Sequence, residues 1–102
     1  MSADSIERGP VVFVPMCGDF VHVGHINILE GAAELGDVVV LLMTDDAMKT
    51  YKRAPRMSYS HRERILRSFK QVADVIPCAG PQSYAPMAEI YKPNFFYHGD
   101  DW

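Results

Sequence analysis

Short apolar runs alternate with stretches of helical period along this chain, and that alternation constrains its fold more than any other feature. Val11-Val12-Phe13-Val14, Val38 to Met43, Asp74 to Pro77 and Phe95-Phe96-Tyr97 read as strands. The first two are almost continuously apolar, the pattern of strands buried on both faces. From Gly24 to Leu35, the residues Ile26, Ile28, Leu29, Ala32, Ala33 and Leu35 recur at helical spacing, and Gly36 supplies a C-terminal stop. Thr44-Asp45-Asp46 can cap a short helix running to about Lys52. Ser58 or Ser60 can cap another, with Ile65, Leu66 and Phe69 on one face, and Met87 to Tyr91 is a further helix. Arg53 to Met57 and Pro77 to Pro86 read as loops. Strand, helix, strand, helix, strand, helix, strand predicts an α/β fold, a Rossmann-like parallel sheet flanked by helices with right-handed crossovers. Ligands of such sheets bind beyond the carboxyl ends of the strands. The segments that leave those ends are Met16 to His25, Thr44 to Lys52 and His98 to Trp102.

The 102 residues suffice for one domain, 1–102, with residues 1–10 as an N-terminal tail. With 48% hydrophobic and 23% charged residues, the chain is not a fibrous or disordered one. The longest apolar run, Val38 to Met43, is far shorter than the roughly 20 residues that span a membrane. No apolar stretch near the N-terminus resembles a leader. Cys17 and Cys78 stand in no metal-like spacing and read as reduced thiols, so the expected location is cytoplasmic, with no membrane partner.

A net charge of −3 argues against a nucleic-acid partner. Eight of the ten basic residues nevertheless fall between Lys49 and Lys70, opposed only by Glu63. That segment suits a compact anion such as a phosphate, or else it is a solvated helix face.

His22-Val23-Gly24-His25 follows a strand and opens a helix. Histidines at i and i+3 share a face of the first turn. Gly24 leaves room for a close approach to the backbone. Free amides and the helix dipole favour an anion there. Imidazoles beside it can donate to oxygens that gain charge in phosphoryl or nucleotidyl transfer. Two other readings stand open: a pair of capping or surface histidines, and a zinc pair in need of a third ligand.

Cys17-Gly18-Asp19-Phe20-Val21-His22-Val23-Gly24-His25 resembles the HxGH signature of the cytidylyltransferase-like nucleotidyltransferases. Thr44-Asp45-Asp46 followed by Tyr51-Lys52-Arg53, then Met57 to Arg62, then Pro93 to Trp102 with His98-Gly99-Asp100-Asp101-Trp102, resemble the family's later segments in order. The likeness runs from about residue 11 to 102. It is strongest to the CTP-dependent cytidylyltransferase domains of phosphonate biosynthesis and to glycerol-3-phosphate cytidylyltransferases. Met16 stands where the family has a glycine, and Gly18 where it has a phenylalanine. A final family segment that grips the nucleotide's phosphates is absent from these residues.

The resemblance implies an enzyme that joins CMP from CTP to a small phosphonate and releases pyrophosphate. The favoured acceptors are 2-hydroxyethylphosphonate and 2-aminoethylphosphonate. The alternatives are an alcohol phosphate such as glycerol 3-phosphate or phosphocholine, an adenylyltransferase of the same fold, or a binding module without turnover. It implies that His22, His25 and Lys52 are catalytic, Lys52 bridging acceptor and α-phosphate. Cys17, Gly18, Asp19, Gly24, Lys70, Gly99, Asp100 and Trp102 would hold the nucleotide, with Asp100 toward cytosine. Lys52, Arg53 and Arg62 would meet the acceptor's phosphate or phosphonate. An internal ion pair is the other reading of Arg62, and loop orientation is another role for Asp19. Mg²⁺ is implied as a cofactor bound mainly through the triphosphate, with no dedicated protein metal site, and a homodimer is the expected assembly. An acceptor with an ammonium group would want an aromatic cage, for which Tyr51, Tyr59 and Tyr84 are available.

Overall fold

The structure, a computed structural model, describes residues 9–51 and 53–97. In chain order it contains β1 (Val11–Met16), α1 (Val23–Ala33), β2 (Asp37–Met43), α2 (Asp45–Tyr51), α3 (Tyr59–Arg67), β3 (Val72–Cys78), a 3₁₀ turn (Pro81–Ser83), α4 (Tyr84–Tyr91) and β4 (Phe95–Phe96). The four strands form one sheet in the order β3-β2-β1-β4. Every pairing is parallel, with Val12 opposite both Val38 and Phe95. This is the expected α/β architecture.

β1 lies between β2 and β4, and all six of its residues are buried. A strand in that place has no solvent face, which is why its sequence shows no polar alternation. One face of the sheet carries Val12, Val14, Met16, Val38, Val40, Leu42 and Val75, packed against Leu29 and Ala32 of α1 and Leu66 of α3. The opposite face carries Val11, Phe13, Leu41 and Cys78 under Tyr84 and Met87 of α4.

The local differences from expectation have simple causes. Gly36 ends no helix through a left-handed turn; α1 closes at Glu34 in right-handed geometry. A side chain on Gly36 would collide with the Pro10 carbonyl oxygen, so the glycine serves close packing at the entry to β2. The α4 helix begins at Tyr84 and not at Met87, because Pro86 falls in the first turn, where no amide donor is needed. On α3 the inward residues are Arg62 and Leu66, while Ile65 is exposed; Phe69, just past the helix, packs half-buried against the same core cluster as Leu66. The expected caps do form. Thr44 Oγ1 accepts from the Ala47 amide at 3.2 Å, and Ser58 Oγ accepts from the His61 amide at 3.4 Å.

The chain steps outward from β1 to β2 to β3, then returns past β1 to β4. The strand order thus reverses at β1, and in open parallel sheets the carboxyl end at such a switch point is where ligands bind. Among the described residues, no helix is long and apolar enough to cross a membrane.

Candidate active site

His22 and His25 stand at this switch point, at the start of α1. His22 is the N-cap, with extended backbone (φ −135°, ψ −175°). Its Nδ1 accepts from the Gly24 amide at 3.0 Å, while His25 Nδ1 accepts from the His22 amide at 3.1 Å. The two rings thus form a reciprocal capping box, a role usually filled by a hydroxyl and a carboxylate. Their centroids lie 4.3 Å apart in edge contact. A nitrogen that accepts from an amide carries no proton, so each neutral ring is assigned its proton at Nε2, on the far edge of the imidazole. Capping by histidine and phosphate recognition by histidine are therefore compatible: Nδ1 serves the helix, and Nε2–H is set as a donor.

This arrangement corrects two expectations about the helix start. The Gly24 amide is capped by the His22 ring, and the His25 amide bonds the His22 carbonyl at 2.9 Å. An anion here meets imidazole edges more than bare amides. Gly24 makes room for the His22 ring itself; a Cβ there would lie 2.8 Å from His22 Cε1.

The signature loop before His22 is tightly wound. Gly18 adopts φ +69°, and a Cβ on it would lie 2.9 Å from Leu42 Cδ1 and 3.2 Å from Leu66 Cδ1. Glycine is required at 18 by the turn and by the core beneath, so the expected backbone approach to a nucleotide is not its first constraint. Phe20 also has a positive φ, 64°, which is uncommon for a bulky side chain, and its ring is 51% exposed.

Asp19 was expected among the nucleotide contacts or as an orienting group, and the structure gives its carboxylate an orienting role. Only 3% exposed, it accepts from Arg53 Nη1 at 3.0 Å, from the Arg56 amide at 2.9 Å and from the Met57 amide at 3.1 Å. Burial alone would raise its pKa. The Arg56 amide, the Arg53 guanidinium and the Met57 amide outweigh that and hold it below its ordinary value.

Arg62 is placed differently from the acceptor-binding role expected of it. Its side chain is 0% exposed. Nε donates to the Met57 carbonyl at 3.0 Å, Nη1 to the Cys17 and Met43 carbonyls at 2.7 Å each, and Nη2 to Asp45 at 2.6 Å. It is a hub that ties the loops after β1 and β2 to the 53–57 segment. No donor faces outward for an acceptor, which corrects that expectation in favour of the internal ion pair. The Cys17 carbonyl is taken by the same hub, and its side chain packs against Met43, Ala47 and Met48.

Lys70 is exposed beyond the last turn of α3, just before β3 begins. That is the amino end of the sheet, opposite the histidines, so within one chain Lys70 does not join the site. A helix that crosses back between parallel strands carries its last residues away from the crevice. Arg53 does lie at the site, through Asp19. Tyr59 and Tyr84 pack on opposite sheet faces and form no joint cage. Lys52, Gly99, Asp100 and Trp102 lie outside the described residues.

Arg56 escaped the sequence reading. Its guanidinium rests 5.6 Å from the centroid of the Phe20 ring, and among the described residues it pairs with no carboxylate. Only the crowding of basic residues at 49–70 hinted at it. Elsewhere, a groove of about 310 Å³ has an apolar floor of Val11, Phe13, Val39 and Ile76 and an acidic rim of Asp37 and Asp74. It contains no histidine, lysine or arginine and does not suit a triphosphate.

A parallel sheet with imidazole donors at its switch point defines a nucleotidyltransferase-type α/β fold. The family profile described as "Cytidylyltransferase-like" matches residues 17–102. The chain belongs to that family. It is 34% identical over 85 residues to "Glycerol-3-phosphate cytidylyltransferase" of Bacillus subtilis (strain 168), an overlap of 82% of this chain and 66% of that protein. It is 31% identical over 105 residues to "Ethanolamine-phosphate cytidylyltransferase" of Dictyostelium discoideum, covering 99% of this chain and 28% of the relative. The chain thus spans just under two thirds of the first relative and little over a quarter of the second. A solved lipopolysaccharide core biosynthesis protein from Thermoplasma volcanium GSS1 shares the fold, with a TM-score of 0.78 at 22% identity over 85% of this chain and 71% of that one.

Proposed function

We propose that this chain transfers CMP from CTP to a small molecule bearing a phosphate or phosphonate group, releasing pyrophosphate. The reciprocal His22–His25 box at the switch point carries the reading. In the proposed reaction an oxygen of the acceptor attacks the α-phosphorus in line. A new P–O bond forms as the bond to the β-phosphate oxygen breaks, and the electron pair leaves with pyrophosphate. No protein nucleophile is needed. The protein positions the reactants and stabilises charge, with the Nε2–H groups of His22 and His25 donating to phosphate oxygens. Lys52 as a bridge between acceptor and α-phosphate, and Gly99, Asp100 and Trp102 around the cytosine, belong to the same proposal.

Mg²⁺ would neutralise triphosphate charge when bound. Among the described residues no three potential ligands converge, and Asp19 already accepts three hydrogen bonds. These residues suit an ion carried by phosphate oxygens and water.

The relatives are named for glycerol 3-phosphate and ethanolamine phosphate, which supports a phosphate ester as acceptor. The 2-hydroxyethyl- and 2-aminoethylphosphonates present a similar anionic head on a short polar chain and belong in the same panel. Pyrophosphate release by the full natural chain, with CTP or ATP against these four acceptors, tests base and acceptor together. CTP with one acceptor should be turned over. His25→Ala should lower turnover by about 10²–10⁴-fold while costing only about 0.5–2 kcal/mol of stability, the loss of its half of the capping box. Near-normal turnover in that variant would sink the mechanism.

A further inference from the structure

The 53–57 segment crosses from α2 to α3 with no strand or helix pairing of its own, yet it is gripped twice. Met57 donates its amide to Asp19 at 3.1 Å and presents its carbonyl to Arg62 at 3.0 Å. Arg62 also holds the Cys17 carbonyl, two residues before Asp19. The signature loop and this strap are therefore cross-linked from both sides. Two guanidiniums are fixed as a result. Arg53 pairs with Asp19 yet remains 54% exposed. Arg56, anchored by its amide, lies on the Phe20 ring. Phe20 holds a left-handed backbone to offer that ring, and strained conformations of this kind cluster at functional sites.

We propose that Asp19 is a positioning residue: its grip on the strap holds the Arg53 and Arg56 guanidiniums on the Asp19-Phe20 loop that leads into the His22–His25 pair, where they receive the acceptor's anionic head. This rests on the proposed nucleotidyl transfer. Guanidiniums present planar forks that match phosphate and phosphonate oxygens, and stacking on an aromatic ring pre-organises one of them. The CTP side is left to the imidazoles. Asp19 should therefore govern the acceptor and not the nucleotide.

The test uses the full natural chain with glycerol 3-phosphate and 2-aminoethylphosphonate as acceptor probes, KM measured separately for acceptor and CTP. Asp19→Asn and Arg56→Ala should each raise the acceptor KM by roughly tenfold and leave the CTP KM within about twofold. Arg56→Lys, which keeps the charge without the fork, should fall between. Hydrogen exchange at the Arg56 and Met57 amides should quicken in Asp19→Asn, while the Gly24 and His25 amides stay as in wild type. A merely structural Asp19 would raise both KM values together, and that outcome overturns the proposal. So does an unchanged acceptor KM in Arg56→Ala, a variant that keeps the clamp and stands in if Asp19→Asn does not fold. The exchange measurement does not depend on turnover. A wild-type chain that releases no pyrophosphate overturns the proposed function, and unchanged exchange at 56 and 57 in Asp19→Asn separately overturns the clamp.

Discussion

Arg62 and Arg56 lie six residues apart in one basic segment, yet the fold puts them to opposite uses. Arg62 has no exposed side-chain surface and binds three carbonyls and a carboxylate drawn from the loop after β1, the end of β2, the start of α2 and the 53–57 strap. Arg56 lies on the outside, stacked on Phe20, with no carboxylate partner among the described residues. The first arginine makes the site rigid, and the second is positioned to meet a ligand. A count of positive charge along the chain cannot separate them. What separates them is whether the surroundings supply enough acceptors to replace water, since a buried cation is tolerated only when its donors are satisfied.

The contrast is sharpest at Arg62. Arg62→Ala should destabilise the chain by about 3–5 kcal/mol, because the carbonyls of Cys17, Met43 and Met57 lose their shared donor and the end of β1 loses its tie to the strap. Urea unfolding measures this, and a loss below about 1 kcal/mol would place Arg62 with the solvated arginines.

The smaller effect at Asp19 tests the link between the two regions. Asp19→Ala should cost about 1–3 kcal/mol at neutral pH, since it removes a charged acceptor for three donors. Its pKa is held below the ordinary 3.8 in the folded chain, so the folded state takes up that proton less readily than the unfolded state. The contribution is therefore complete above the unfolded value and is lost as pH falls through the lower folded one. The difference in unfolding free energy between wild type and Asp19→Ala should be level from about pH 5 to 7 and shrink below about pH 4. A difference that begins to fall near pH 6 would contradict the clamp.

Arg67 gives the smallest change and serves as the control. It resembles Arg62 on paper, bonding Glu63, Asp74 and the Val75 carbonyl at 2.9 Å each. These carboxylates raise its pKa, but the side chain is 46% exposed. Arg67→Ala should cost no more than about 1 kcal/mol in the same urea assay. A cost equal to that of Arg62→Ala would mean that burial is not what distinguishes the two.

Much of the frame is legible from the residues alone. Val11 to Val14 and Val38 to Met43 read as strands buried on both faces, and Thr44 and Ser58 announce their caps through the chemistry of their hydroxyls. The His22-x-x-His25 spacing places two imidazoles on one helical turn, whatever surrounds them. Arg62 was legible only as a choice between acceptor contact and internal ion pair. Arg56 was legible only as charge, because its neighbour across the chain, Phe20, acquires meaning through a backbone angle.

The sequence by itself determined the alternation of strands and helices, and with it the parallel sheet and the end where ligands of such sheets bind, because side-chain periodicity and capping are local physics. Tertiary structure alone decided what each polar group faces. It turned Gly18 toward Leu42 and Leu66, filled the space over Gly24 with the His22 ring, and carried Lys70 to the far end of the sheet. It also closed Asp19 on a strap 34 to 38 residues away. Those outcomes depend on contacts between segments distant in the chain, and a donor's partner exists only once the fold has brought it within about 3 Å.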